Sequence, residues 1–354
     1  MKHLPDDLRQ MQSLPLEAKI LMSKQRIRQW YDYWDGMVYV SFSGGKDSTV
    51  LKHLVENTPG VYDVPSLFVN TGLEYPEIQR FAMSQPNVTT VRPEMRFDEV
   101  LKNYGYPVIG KEVAGAVFDT RVQARVNALD VQDTKLYNRY FNAESEKNKK
   151  YPSYCLERYS YLFDSPFGIS DECCNVMKKK PAKQYEKQTG RKPIVGTMAD
   201  ESRARRSKWL KHGCNAFDTK RPTSQPLSFW TNQDILLYLK KYNIPYCSVY
   251  GDIVSTDDEG NEYDMPADYL EALATADAVP KLKTTGCDRT GCIFCMFGCH
   301  LEKEPNRFQR LKETHPRQYA YCINGGEMVG GKWQPSKDGL GLGYVLDYIG
   351  VDYK

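Results

Sequence analysis

The sequence predicts an α/β protein with a doubly wound, mostly parallel sheet and helices on both faces, followed by a Cys-rich, irregular C-terminal region. Short apolar runs, MVYVSF at 37–42, SLFVN at 66–70 and KPIVGTM at 192–198, are separated by segments of helical period. Strands that alternate with helices pair in parallel. The runs are nearly continuous in hydrophobicity, as strands buried on both faces are. At 354 residues and 41% hydrophobic content, the chain can form two domains, or one large domain with appended pieces.

The elements follow in order. Leu16, Ile20, Ile27, Trp30, Tyr31 and Trp34 recur near a helical period within 16–34, which predicts an amphipathic helix and an N-terminal helical segment over 1–36. MVYVSF is the first strand of a domain spanning 37–250; it enters SGGKDS at 43–48, and DSTVLKHLVEN continues as helix. SLFVN, the turn TGLEYP and EIQRFAMSQ form a second strand–turn–helix unit. Residues 111–160 are polar, charged and Tyr-rich; they read as a helical excursion with a mobile tip, its Lys run at 147–150 a solvated face. KPIVGTM restores a strand and TNQDILLYLKKYN at 231–243 a helix. Within 251–354, residues 251–286 read as an acidic, irregular insertion outside the core. The Gly-rich tail from 325 offers no readable element.

Composition removes several function classes. Lys and Arg number 48 against 45 Asp and Glu, a net charge of +3, so the chain is no basic coat protein for nucleic acid. A mean hydropathy of −0.60 and 12% aromatic residues are those of an ordinary soluble globular protein. No stretch reaches the roughly 20 apolar residues of a membrane span, and the N-terminus has no apolar core of an export signal. A cytoplasmic location without membrane partners is expected. Ten cysteines in a reducing compartment then point to metal or redox chemistry, not to disulfides.

Ser43, Gly44, Gly45, Lys46, Asp47 and Ser48 lie between a predicted strand and a predicted helix. Glycines admit close backbone approach, successive N–H groups form a concave nest, and the helix N-terminus adds partial positive charge, so the segment suits an anion. Ser43 and Ser48 offer hydroxyl donors, Lys46 a point charge, and Asp47 a ligand for Mg2+ or a helix cap. The blander reading is a Gly-rich turn capped by Asp and Ser. The Walker pattern is absent.

SGGKDS resembles the pyrophosphate loop of the N-type ATP pyrophosphatases. Further segments resemble one branch of that superfamily, the phosphoadenosine phosphosulfate (PAPS) reductase family, which has the adenine nucleotide alpha hydrolase-like fold. They are LFVNTGLEYPEIQRF (67–81, with Asn70 where the family has Asp), VTTVRPEMRFDEVLKNYGYP (88–107), CCNVMKKKP (173–181), GTMADESRARR (196–206) and PLSFWTNQDILLYLKKYNIPYCSVY (226–250). The resemblance spans about 37–300 and implies an adenosine nucleotide, ATP with Mg2+, at the C-terminal ends of the strands. It places Thr71 and Gly72 in a second loop near ribose or phosphate, and Glu201, Ser202, Arg203, Arg205 and Arg206 in a third wall. Lys46, Asp47 and Arg205 become the expected catalytic residues, with one or two of the three arginines left on the surface. Lys178 matches the family's lysine; Lys179 and Lys180 read as solvated.

Cys292 and Cys295 form a CxxC, which lets two thiolates converge on one metal, and Cys173–Cys174 supplies a second pair. The set resembles cluster-bearing adenylylsulfate reductases, which implies a 4Fe-4S cluster on Cys173, Cys174, Cys292 and Cys295. Local competitors stay open: Cys287, Cys292, Cys295 and Cys299, with His300 adjacent, could close a zinc site. Cys155, Cys214 and Cys247 read as buried small hydrophobes, and His53 and His315 as structural.

Sulfonucleotide reductases end in a Glu-Cys-Gly-x-His segment whose cysteine attacks the sulfate sulfur; nothing here matches it, and the loop such reductases tend to degrade is intact. The expected function is therefore an ATP pyrophosphatase that adenylates an acceptor, a nucleic acid or a small molecule, releases pyrophosphate and supports sulfur transfer from a sulfur-donor protein. The alternatives are a sulfonucleotide reductase with Cys299 or Cys322 as nucleophile, and a non-catalytic nucleotide sensor or partner subunit, towards which Asn70 points. A homo-oligomer is compatible with all three.

Overall fold

The computed structural model describes residues 3–257, 259–266 and 281–354. The chain divides into two compact units. The first comprises Met1–Asn70, Glu74–Arg92 and Ala182–Thr290, the second Thr71–Leu73, Pro93–Pro181 and Gly291–Lys354. A division at 1–36, 37–250 and 251–354 thus cuts the chain differently. The N-terminal helix goes with the sheet, and residues 93–181 go with the C-terminal stretch.

The first unit holds the α/β fold. Its six-stranded sheet runs, edge to edge, Val88–Val91, Ser66–Val69, Val38–Ser41, Lys192–Val195, Thr223–Ser224 and Asn215–Ala216. Every pairing is parallel except the last. Register is set by Val40 opposite Ser66 and Ile194. The order proceeds outward from Val38–Ser41 in one direction and then in the other, which is the doubly wound arrangement.

Strand period 2 sends alternate side chains to opposite faces. Val38 and Val40 enter the main core with Ile20, Ile27 and Trp30 of the helix Leu16–Tyr33 and with Val50, Leu51 and Leu54 of the helix Lys46–Glu56. Tyr39 and Leu67 point the other way and pack on Tyr185 of the helix Lys180–Thr189. Both faces are therefore covered. A further helix, Asn232–Lys241, starts at a Thr231–Asp234 capping box and buries Ile235, Leu236 and Leu239 in the main core.

The acidic stretch at 251–286 is more ordered than its composition predicts. Ile253–Thr256 pairs antiparallel with Glu262–Tyr263 on one edge and Lys281–Thr284 on the other, and Ile253 and Leu282 belong to the main core. The reading of this stretch as irregular and outside the core is corrected there; its part at 267–280 lies outside the described residues.

The second unit is mainly helical. Phe97–Tyr104, Lys111–Asn127, Lys135–Tyr140 and Glu146–Lys150 form the expected helical excursion and its approach. Val108–Ile109 pairs in parallel with Met296–Phe297, tying the excursion to the Cys-rich segment. The Gly-rich tail does carry elements: a hairpin of Glu327–Val329 and Lys332–Gln334, and a helix Leu342–Tyr348 that buries Leu342, Val345 and Leu346. Glycine composition hid them, because positive φ at Gly330 and Gly331 builds the hairpin turn itself.

Candidate functional site

In the first unit the loop 43–48 leaves the C-terminal end of the Val38–Ser41 strand and opens the helix Lys46–Glu56, at the point where the sheet order reverses. Ligands of open α/β sheets bind at such a point. Gly44 has φ +73°, and a Cβ there would stand 3.0 Å from both Ala82 Cβ and the Ile78 carbonyl oxygen, so only glycine fits. The Ser48 hydroxyl donates to Gly45 O at 2.8 Å and accepts from Ser43 N at 3.1 Å. The two serines therefore brace the loop, where the sequence had them donating outward.

Lys46 is only 3% exposed, and its ammonium stands 3.2 Å from Asp47 Oδ1. That oxygen is buried and accepts no hydrogen bond, a spare acceptor of the kind a divalent cation takes. The helix opens on amides that have no carbonyl four residues back to serve. One of them, Lys46 N, donates to the Tyr250 hydroxyl at 3.1 Å, and that hydroxyl meets Thr290 Oγ1 at 2.6 Å. Burial pushes the Tyr250 phenol up to about 12, so it stays protonated. Gly196 closes the other side, where a Cβ would meet Asp47 O at 3.0 Å.

The third wall is only partly as expected. Glu201 accepts from Met198 N at 2.8 Å and pairs with Arg205 and with Arg289. Burial first, then neighbouring Arg289, pulls the Arg205 guanidinium below its ordinary value, while the charge of Asp47 supports it. Of the three arginines Arg205 is the half-buried one, and it is held by Glu201. Arg203 and Arg206 are exposed, and Ser202 caps the helix Arg203–His212 by accepting from Arg205 N at 3.2 Å. Sequence reasoning missed the roles of Tyr250, Thr290, Arg289 and Gly196. Tyr250 and Gly196 sit inside the segments it singled out, whereas Arg289 and Thr290 lie in a loop without periodic signal.

The second unit gathers the thiols. Cys173, Cys174, Cys292 and Cys295 line one cavity with Leu73, Phe97, Phe294 and Lys178. The adjacent Cys173 thiol draws the Cys174 thiol down to about 6 against its own burial, and Lys111 and Lys178 add to the effect. The same pairing, with burial, drives Cys173 upward. A π-turn, Asn175–Lys179, follows the cysteine pair, and such turns concentrate at functional sites. Ile109, a β-branched residue at φ +62°, pairs with Phe297 just beyond the CxxC, a strained position of the kind that clusters at active sites. Thr71 and Gly72 also belong here. Leu73 N donates to Thr71 Oγ1 at 3.1 Å, and Leu73 O accepts from Ile293 N at 2.8 Å.

Among the described residues no three His, Cys, Asp or Glu side chains are arranged to hold a metal ion. The four thiols share a cavity without closing on one point. Their soft donors suit a thiophilic metal or cluster. The remaining cysteines are set apart. Cys299 is 1% exposed and its Sγ donates to Met296 O at 3.0 Å, with burial pushing the thiol up to about 12. Cys322 is fully buried, and its thiol is raised for that reason. Cys214 and Cys247 are buried as expected, while Cys155 is only half-buried. His53 is structural, its Nδ1 2.8 Å from the Tyr238 hydroxyl.

A doubly wound sheet with a braced glycine loop, a buried lysine and an unfilled carboxylate oxygen at its switch point defines a nucleotide-binding α/β protein. The chain belongs to the phosphoadenosine phosphosulfate reductase domain family, whose model matches residues 37–106 and 118–296. Membership places it among nucleotide-binding enzymes with sulfonucleotide-related chemistry. A solved structure of phosphoadenylyl-sulfate (PAPS) reductase from Candida auris, a phosphate complex, is similar at 15% identity over 64% of this chain and 82% of that one, with a TM-score of 0.34. At that level the likeness carries no argument. No curated protein matches the chain. Among the described residues no helix is long and apolar enough to cross a membrane.

Proposed function

We propose that the chain is an ATP pyrophosphatase that adenylates an acceptor oxygen, releases pyrophosphate and supports sulfur transfer. The observation that carries this reading is the intact loop, with the Lys46 ammonium buried beside Asp47 and Asp47 Oδ1 left without a hydrogen bond. Loop amides and Lys46 would take the β- and γ-phosphates, Asp47 would orient Mg2+, and Arg205 would neutralise charge as the α-phosphorus is attacked. The acceptor oxygen forms its bond to that phosphorus as the bond to the bridging oxygen of pyrophosphate breaks. The terminal sulfur of a donor persulfide would then displace AMP from the activated atom of the acceptor, and a second thiol would attack the resulting mixed disulfide, leaving sulfur on the acceptor and the donor in a new disulfide. Positioning and charge neutralisation supply the rate, without a strong general base. A 4Fe-4S cluster held by Cys173, Cys174, Cys292 and Cys295 would supply electron transfer or sulfur ligation when bound.

The test is pyrophosphate release from ATP by anaerobically purified protein, assayed beside sulfite release from PAPS and adenylylsulfate. Pyrophosphate that disappears in Lys46→Ala supports the reading. Sulfite release without ATP turnover overturns it and favours the reductase, although Cys299 and Cys322 are both buried as protonated thiols. Nucleotide binding without either product, in the presence of thiol, Mg2+ and a panel of acceptors, would favour the sensor.

A further inference from the structure

The second unit holds a cavity of about 440 Å3 that the ATP reading does not use. Among the described residues its charged lining is Lys102, Arg121, Arg125 and Lys332, without a carboxylate. Arg121 is held inside the wall, its guanidinium donating to the carbonyls of Leu162, Phe163 and Phe167 at 2.9–3.1 Å. No carboxylate among the described residues stands at ion-pair distance from it; burial lowers its affinity for the proton, and the charges of Tyr348 and Asp164 partly offset that. This half-buried guanidinium, braced by carbonyls and supported by the charge of Asp164, lines a space that three more cations surround. Lys102, Arg125 and Lys332 are exposed and form no ion pair among the described residues. Tyr104 and Phe118 are half-buried in the same wall, and among the described residues neither packs on another ring.

We infer that this cavity binds a nucleotide unit, its phosphate held by Arg125, Lys102 and Lys332 in the field of Arg121, and its base against Tyr104 or Phe118. Cations around a hollow with aromatic walls and no acid are the pattern of single-strand nucleic-acid sites, where stacking tolerates any base and the phosphate gives affinity. The volume accommodates one nucleotide, either free or as one residue of a strand. The helix Phe97–Tyr104 reaches from the thiol cavity, which Phe97 lines, to this one, which Leu101–Tyr104 line. At 1.5 Å per residue the two are about 6–10 Å apart along it. A bound strand would therefore pass close to the thiols.

The test is fluorescence anisotropy of fluorescein-labelled hexathymidylate with the full chain, competed by thymidine monophosphate. Arg125→Glu and Lys332→Glu are exposed changes that leave the Arg121 brace intact. Each is expected to weaken binding about tenfold and to lower the salt slope by about one, while Lys150→Glu, outside the cavity, leaves both unchanged. Competition by the monophosphate marks the free nucleotide as a ligand; binding of the strand without competition marks the strand. Absence of binding by the wild type overturns the inference, as does equal weakening by Lys150→Glu, which would mean diffuse surface charge. No ATP is present, so this result and that of pyrophosphate release are independent.

Discussion

At the scale of single residues, the loop depends on atoms that no side-chain chemistry can replace. Gly44→Ala forces a Cβ into the left-handed region and against Ala82 and the Ile78 carbonyl. A cost of about 1–2 kcal/mol in stability is expected, together with loss of ATP binding in calorimetry. Tyr250→Phe keeps the ring and removes the oxygen that holds Lys46 N and Thr290. Losing such a bond costs about 1 kcal/mol of stability, so the midpoint of urea unfolding should fall measurably, while the fold and the ring packing are kept. Cys299→Ser and Cys322→Ala should leave pyrophosphate release intact, since both thiols are buried away from solvent; loss of turnover in well-folded protein would contradict that. The sequence made Gly44, Lys46 and Asp47 legible because each carries its chemistry in its type. Tyr250 was legible only as part of a longer signature, since nothing in a tyrosine announces that its hydroxyl will meet a helix amide.

At the scale of elements, the N-terminal helix is fastened by a buried charge. Lys19 donates to both Asp234 oxygens at 2.8 and 2.7 Å, with side chains 3% and 12% exposed. Asp234 also receives Thr231 Oγ1 at 2.9 Å and completes the cap of its own helix. Asp234→Ala leaves a buried ammonium unpaired and should cost about 3–5 kcal/mol in urea unfolding. Thr231→Ala, which removes only a cap, should cost about 1 kcal/mol. Strands and helices with a regular hydrophobic period were readable in advance: Val38–Ser41, Ser66–Val69, Lys192–Val195 and Asn232–Lys241 all lie where the pattern predicts. The elements that escaped are short and set by long-range contact. Val108–Ile109 needs Met296–Phe297 to become a strand, and the Ile253–Thr256 sheet forms in acidic sequence because Ile253 and Leu282 reach the core.

At the scale of the whole molecule, the two units give separate readouts. If the four thiols hold a cluster, anaerobic wild type should contain iron and acid-labile sulfide, and Cys174→Ala and Cys292→Ala should lose both while Cys155→Ala keeps them. Stripping the metal by oxidation and chelation should raise amide hydrogen exchange in 93–181 and 291–354, leaving the sheet unit protected. Uniform loss of protection would instead tie the thiols to the fold of the entire chain. The sequence grouped these four cysteines, and the structure has all four lining one cavity. It could not show that their unit is assembled from separated stretches, because no local pattern records which distant segments will meet.

That assembly governs when the thiol pocket can exist. Cys173 and Cys174 leave the ribosome long before Cys292 and Cys295, and Val108–Ile109 must wait for Met296–Phe297. At 5–20 residues per second, the interval between the two cysteine pairs is on the order of ten seconds. During it the adjacent thiols face the cytosol or whatever compartment receives the nascent chain, unsheltered by their eventual neighbours. The first cysteine pair is therefore open to oxidation during synthesis, and a group held by all four thiols could be loaded only after Cys295 has emerged.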